Sequence, residues 1–341
     1  MEPLVSVIIP CYNEEQFIRP LLMNILEQDY PADRLEIFIV DGMSTDSTPE
    51  IISGFHRQYP NIQWIQNEKR FVPFALNLGI RQSHGEVIVR MDAHSVYPEN
   101  YIRALVSHLY KLKADNVGGT WLTKPSGNTA KANAIALALS SSFGVGNSLY
   151  RLGVNKIRKV DTVPFGCFHR SLFDRIGFFD EELLRNQDDE FNARIIENGG
   201  SIYLVPDVVI TYYARPKVSS LLRMFFQYAF FKPLVNRKLK KPATLRQFVP
   251  PVFVLFLLFG WLSVFISPDL FKVYLSGMGL YAFLNLTITI KSAITAKRWG
   301  LIFFLPWIFF IQHVAYGVGY LLGIITFVII KKTRSTISTS R

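Results

Sequence analysis

The chain has 341 residues, half of them hydrophobic, a net charge of +11 and a mean hydropathy of +0.22. That is too apolar for an ordinary soluble protein and too polar for a pure transporter. The excess is local: residues 1–215 carry mixed charge and frequent turn residues, whereas residues 248–330 are almost uncharged. Composition therefore predicts a soluble domain followed by a membrane region. The basic residues sit beside the apolar stretches: Arg237, Lys238, Lys240 and Lys241 before the first, Lys291, Lys297 and Arg298 after the second, and Lys331, Lys332 and Arg334 after the last. This is the positive-inside pattern, and it argues against nucleic acid as the partner. Cys11 and Cys167 are the only cysteines, which excludes a disulfide framework and a thiol-rich metal site. The first apolar stretch is only strand-length, so the soluble domain is expected in the cytosol, at the inner face of the cell membrane.

In chain order, Leu4–Ile9 reads as a buried strand stopped by Pro10. Residues 14–27 have helical spacing, and Leu35–Val40 is a second strand ending at Asp41-Gly42. Thr48 suits an N-cap, with Pro49 at the first helical position. Residues 61–65 form a weak third strand, Val72–Gln82 a helix, and residues 86–91 a strong strand. This alternation predicts βαβ units and a mainly parallel sheet. Further on, residues 118–121 and 201–205 read as strands, and 130–142, 171–176 and 190–197 as helices.

Residues 218–232 repeat Ser220, Arg223 and Gln227 at helical spacing, which predicts an amphipathic helix, either packed on the domain surface or, as the basic run and apolar span after it favour, lying at the membrane interface. The stretch 216–247 is thus an interface helix and basic linker, 248–330 the membrane region, and 331–341 a basic tail. Residues 248–267 and 273–290 are each long enough to span a bilayer core of ~30 Å. Residues 301–330 fit either one long tilted helix or a short re-entrant hairpin turning near Gln312-His313. Gly319-x-x-x-Gly323 would allow close packing on another helix.

Three predicted strands end in polar groups: Pro10-Cys11-Tyr12-Asn13-Glu14, Asp41-Gly42-Met43-Ser44, and Asp92-Ala93-His94. In a parallel sheet these ends share one edge, where open α/β folds bind ligands. Acids there would repel phosphate, unless they accept hydrogen bonds from a nucleoside or a cation lies between them and a diphosphate. The P-loop and the dinucleotide glycine fingerprint are both absent from the sequence. A fourth acidic group, Asn186-Gln187-Asp188-Asp189-Glu190, precedes a helical pattern and is either a helix cap or the source of a general base.

The ordered set Val5–Glu14, Val40–Asp46, Asp92-Ala93-His94 and Gln187-Asp188 resembles glycosyltransferase family 2 over about residues 4–215. Val160–Gly166, Arg185–Glu190 and Gln227-Tyr228 are similar to its membrane-attached, succinoglycan-glucosyltransferase-like branch. The resemblance implies an A-type nucleotide-diphospho-sugar transferase domain of α/β class and an inverting transfer. By position it implies that Pro10, Tyr12, Glu14, Asp41 and Asp92 hold the nucleotide sugar, and that Asp92 and His94 hold Mg²⁺ or Mn²⁺. Asp188 is then the catalytic base, and Arg223 and Gln227 are candidates on the acceptor side. His94 stands where the family carries a second carboxylate, and Gln187 where it carries an acid. The intact Gln-x-x-Arg-Trp motif of processive synthases is absent. A lipid-linked saccharide or a polyprenyl phosphate is the expected acceptor. The rivals are a polyprenyl-phosphate sugar synthase and a membrane scaffold or transporter with a nucleotide-binding domain.

Overall fold

The computed structural model describes residues 2–242 and 244–332; the expected basic tail beyond Lys332 lies outside them. The first half alternates as the periodicity predicts: β1 (Val5–Cys11), α1 (Ile18–Leu26), β2 (Leu35–Asp41), α2 (Thr48–Gln58), β3 (Ile62–Gln66), α3 (Val72–Gln82) and β4 (Val87–Arg90). Then come β5 (Ser95–Val96), α4 (Tyr101–Lys111), β6 (Asn116–Pro125), α5 (Ala130–Ala138), α6 (Ser142–Val145) and α7 (Leu149–Leu152). Next are β7 (Arg158–Lys159), β8 (Cys167–His169), α8 (Ser171–Ile176), α9 (Gln187–Glu197) and β9 (Ile202–Ala214). Helices α10 (Val218–Leu239), α11 (Val249–Phe259), α12 (Pro268–Ala296) and α13 (Leu301–Gly323) close the order.

The sheet runs β3-β2-β1-β4-β8-β6-β9-β5, with β7 paired to β9. Its first four strands are parallel, while β8 pairs antiparallel with β4 and with β6. The parallel half was legible from the sequence; the antiparallel half was not. Every residue of β1 is buried, as expected of a strand covered on both faces. Pro10 does not stop it. The ladder to β4 ends at Ile8↔Arg90, so Pro10 lies beyond the point where that neighbour needs a donor, and β1 continues beside β2 to Cys11. Because β1 pairs with β2 on one side and β4 on the other, the order reverses at β1, and the crevice opens at the carboxyl ends of these strands. Helix α2 starts at Thr48, one residue earlier than the predicted Pro49, so Ser47 rather than Thr48 is the cap residue. The late strand predicted over 201–205 extends to Ala214; beyond Pro206 its buried residues alternate as Val208, Ile210, Tyr212 and Ala214.

The described chain forms two compact units. One comprises the chain through Leu122 together with Leu152–Tyr212; the other comprises Thr123–Arg151 and the chain from Tyr213 onward. In the second unit, α5 packs on α13 and is buried nearly all round, Ala132, Ala134, Ala136 and Ala138 included. Among the described residues, three stretches are long and apolar enough to cross a membrane: Leu245–Phe265, Pro268–Ala296 and Leu301–Ile329. Helix α13 continues without a turn through Gln312 and His313, so of the two readings of 301–330 the structure has the single helix. The His313 ring lies 2.9 Å from the Tyr281 hydroxyl and 2.7 Å from the Phe143 carbonyl. A polar residue supplied with partners inside the bundle does not need a turn to reach water. Gly319 and Gly323 pack against the α10 backbone: a Cβ on either would lie 2.4 or 2.2 Å from the Phe226 or Phe230 carbonyl oxygen. The stripe read on α10 divides, since Arg223 is exposed and Gln227 is buried.

Candidate active site

The loops after β1 and β2 are tied together by short polar side chains. The Asn13 amide donates to Ser44 Oγ at 2.8 Å, the Thr45 amide to Asn13 Oδ1 at 2.8 Å, and the Glu14 amide to Thr48 Oγ1 at 2.8 Å. These bonds explain why Asn13 is held at φ +53, a conformation asparagine tolerates. Asp41 is 1% exposed at the end of β2; its carboxylate accepts from the Ser44 amide at 3.2 Å and the Ser44 hydroxyl at 2.5 Å. Asn67 donates its amide to the Asp41 carbonyl at 2.7 Å, which closes the same wall from β3. Pro10 is buried and Tyr12 half-buried on the β1 side.

The turn after β4 is anchored by a residue that periodicity did not single out. The Asp92 amide donates to the Tyr97 hydroxyl at 2.7 Å, and that hydroxyl donates to the Asp92 carbonyl at 3.2 Å. Tyr97 is in turn fixed by Asn24, whose Oδ1 accepts its amide at 3.0 Å. Burial first, and then the nearby Asp92 charge, raises the Tyr97 phenol far above its ordinary value, so it stays neutral and able to donate. His94 lies 3.9 Å from the buried Glu14 carboxylate and edge-on to Tyr212, with ring centroids 6.3 Å apart. The strand ends thus bring Glu14, expected with the nucleoside, beside the histidine.

Asp188 stands in the first turn of α9, where the positive helix end favours an acid. The loop before α9 is pinned by Asn77, whose side chain both donates to and accepts from the Phe179 backbone at 2.8 and 3.0 Å. Below it, Phe179 and Phe191 stack at 4.4 Å within a cluster that includes Phe168 and Phe173. Of the acids in that first turn, Glu190 is held at 2.8 Å by Arg194, one turn on. Asp188 instead pairs with Arg90 across the chain: Nη1 donates to Oδ1 at 2.6 Å. The same guanidinium reaches Asp92 from Nε at 3.1 Å and from Nη2 at 3.3 Å. Desolvation raises the Asp188 carboxyl above the usual carboxylate range; Arg90 opposes this, and the charges of Asp92 and Asp189 add to it. Arg90 is therefore a site residue the sequence reading passed over as strand. The signal was present, since an arginine within Val87–Met91 must find an anion once buried.

Asp92 and His94 offer a carboxylate and an imidazole, with Glu14 beside them. Among the described residues no three histidine, cysteine or acidic side chains form a preformed cation cage. The donors present fit a cation that keeps water and takes further ligands from a bound diphosphate. Arg223 and Gln227 belong to the second unit.

A doubly wound sheet with acids gathered at its carboxyl edge, and no phosphate-binding glycine loop, defines a nucleotide-sugar transferase of the A-type fold. The profile described as Glycosyl transferase family 2 matches residues 6–178, and the chain belongs to that family. It is 30% identical over 242 residues to a dolichyl N-acetyl-alpha-D-glucosaminyl phosphate 3-beta-D-2,3-diacetamido-2,3-dideoxy-beta-D-glucuronosyltransferase of Methanococcus voltae, covering 69% of this chain and 74% of that one. It is 28% identical over 246 residues to the succinoglycan biosynthesis protein ExoA of Rhizobium meliloti (strain 1021), covering 72% and 73%. Among solved structures, a mannosyltransferase of Pyrobaculum calidifontis in complex with GDP-Man and Mn²⁺ superposes with a TM-score of 0.60 at 21% identity. That likeness covers 94% of this chain and 88% of the other, and it shows the fold. The chain is a glycosyltransferase of polysaccharide or glycan synthesis.

Proposed function

We propose that the protein transfers a sugar, with inversion, from a nucleotide-diphosphate sugar to a lipid-linked saccharide at the cytosolic face of a membrane. The observation that carries this reading is the meeting of Asp92 and Asp188 on one guanidinium at the crevice. One carboxylate lies at the end of β4 and the other at the start of α9, so a donor and an acceptor can be served from two sides. Pro10, Tyr12, Glu14 and Asp41 line the nucleoside end. Asp92 and His94 would hold Mg²⁺ or Mn²⁺, which when bound neutralises charge on the departing diphosphate. Asp188 accepts the proton of the acceptor hydroxyl as that oxygen bonds to the anomeric carbon and the bond to the diphosphate oxygen breaks. A base with a raised pKa takes that proton more readily than an ordinary carboxylate.

The apolar helices support a lipid-linked acceptor, and so does the Methanococcus relative, named for a sugar carried on dolichyl phosphate. The basic residues flanking the spans support a cytosolic site. Arg223, exposed on α10, and Gln227, buried on the same helix, are the acceptor-side candidates. The test is transfer of radiolabel from a panel of UDP-, GDP- and TDP-sugars, with Mn²⁺, into membrane lipid extract. Label in the lipid phase that depends on an added lipid-linked glycan is the expected result. Label appearing with polyprenyl phosphate alone would favour the synthase instead, and no transfer from any donor would overturn the proposal.

A further inference from the structure

Arg90 is 5% exposed and is the single charged residue of the run Val87–Met91. A guanidinium at that depth is stable only with anions in good geometry, and the fork of arginine can serve two at once. Its Nε/Nη2 edge holds Asp92 bidentately, and Nη1 holds Asp188. Its guanidinium carbon also lies 5.8 Å from the centroid of the Phe165 ring. Phe165 sits at φ +62, rare for an aromatic residue, and Gly166 follows at φ +97. A Cβ on Gly166 would lie 2.3 Å from the Phe168 ring and 2.8 Å from Asn116 Oδ1, so only glycine fits. The Gly166 carbonyl accepts the Arg90 amide at 3.1 Å. The Val163-Pro164-Phe165-Gly166 segment, which the sequence marks but the transfer chemistry does not use, thus meets Arg90 at both backbone and guanidinium, while the Phe165 ring also packs on Tyr97 and Trp121 at 5.9 and 5.6 Å. Backbone strain of this kind persists where the surroundings over-determine it.

We propose that Arg90 is a positioning residue of the transfer reaction: one guanidinium clamps the donor-side Asp92 and the acceptor-side Asp188 and fixes the spacing between them. This rests on the roles assigned above to those two acids. The clamp has a directional consequence. Arg90 competes with a cation for Asp92, so its presence restrains donor affinity. It also holds Asp188 against a carboxylate neighbour, so its presence sustains turnover. A residue needed only for folding would lower both together.

The experiment uses the full chain in detergent, with Arg90→Gln and Arg90→Lys variants. Three quantities are measured: kcat for transfer, calorimetric binding of UDP or GDP with Mn²⁺, and the melting temperature. Arg90→Gln is expected to lower kcat about 100-fold, the scale of a misplaced catalytic group, with nucleotide binding unchanged or tighter. Arg90→Lys keeps the charge and loses the fork; kcat falls about tenfold at a melting temperature close to wild type. Wild-type kcat in Arg90→Lys would overturn the positioning role while leaving the transferase reading intact. Parallel loss of kcat, binding and melting temperature in both variants would overturn it too, in favour of a structural role. Failure of the wild type to bind any nucleoside diphosphate with Mn²⁺ would remove the transferase site itself, and the clamp with it.

Discussion

Glu36 and Asp188 are carboxylates set against the same sheet, one beside the start of β1 and the other beside the end of β4, and they are held in opposite ways. Burial alone would raise Glu36, but hydrogen bonds outweigh it and lower its pKa: Ser6 Oγ at 2.5 Å, the His84 amide at 2.5 Å and the Gly85 amide at 2.7 Å. Asp188 is raised by burial, and Arg90 alone among its named partners draws it down by both charge and hydrogen bond. A carboxylate surrounded by donors is satisfied as an anion and serves as a staple between β1, β2 and the turn into β4. A carboxylate that shares one cation with another acid is left able to take a proton. The same chemical group is thus held as an anion at one edge of the sheet and, in the proposed reaction, serves as the base at the other.

The sharpest way to break that contrast is to remove the charge of Asp188. Asp188→Asn is expected to lower kcat about 1000-fold, within the usual range for a general base, with nucleotide binding by calorimetry unchanged. Near-wild-type turnover would end its role as base. Asp92→Asn addresses the donor side. Nucleoside-diphosphate binding in the presence of Mn²⁺ should weaken on the order of 10- to 100-fold, and binding without metal should change little. Equal binding with and without metal in the wild type would remove the cation from the site.

Which parts of this arrangement the sequence reveals follows from the range of the interactions. The carboxyl-edge acids are visible because each belongs to its own strand, and the apolar run before it announces the strand. The length of residues 301–330 allowed one long helix or a hairpin turning near Gln312-His313, and the Gly319–Gly323 spacing allowed a close helix contact without naming α10; the partners of His313, Tyr281 and the Phe143 carbonyl, are tertiary facts. The Arg90–Asp188 pair was not readable, because its members lie 98 residues apart and periodicity carries no information about partners. The antiparallel half of the sheet was obscured for the same reason. Three of its members, β5, β7 and β8, have only two, two and three residues, too short to show a period. The tie between residues 123–151 and the C-terminal helices is likewise a tertiary fact, announced only by an unusual density of alanine in α5.

Glu36→Gln is the smallest and most diagnostic change, because it asks whether a well-satisfied carboxylate is purely structural. Losing charge-assisted bonds at a partly exposed site should cost about 1–2 kcal/mol. That corresponds to a fall of roughly 2–8 °C in the melting temperature of the catalytic unit. Turnover and nucleotide binding should be unchanged, since Glu36 touches none of the crevice acids in the bonds it makes. The pH dependence gives a second check. The folded pKa of Glu36 is depressed, so its contribution is complete above the ordinary carboxylate pKa and disappears as pH falls through the depressed folded value. The melting difference between wild type and Glu36→Gln should therefore be constant through neutral pH and shrink only in acid. A difference that grew on acidification would mean that Glu36 binds its proton more tightly when folded. That would place it with Asp188 rather than opposite it, and the division between a structural and a reactive edge would fail.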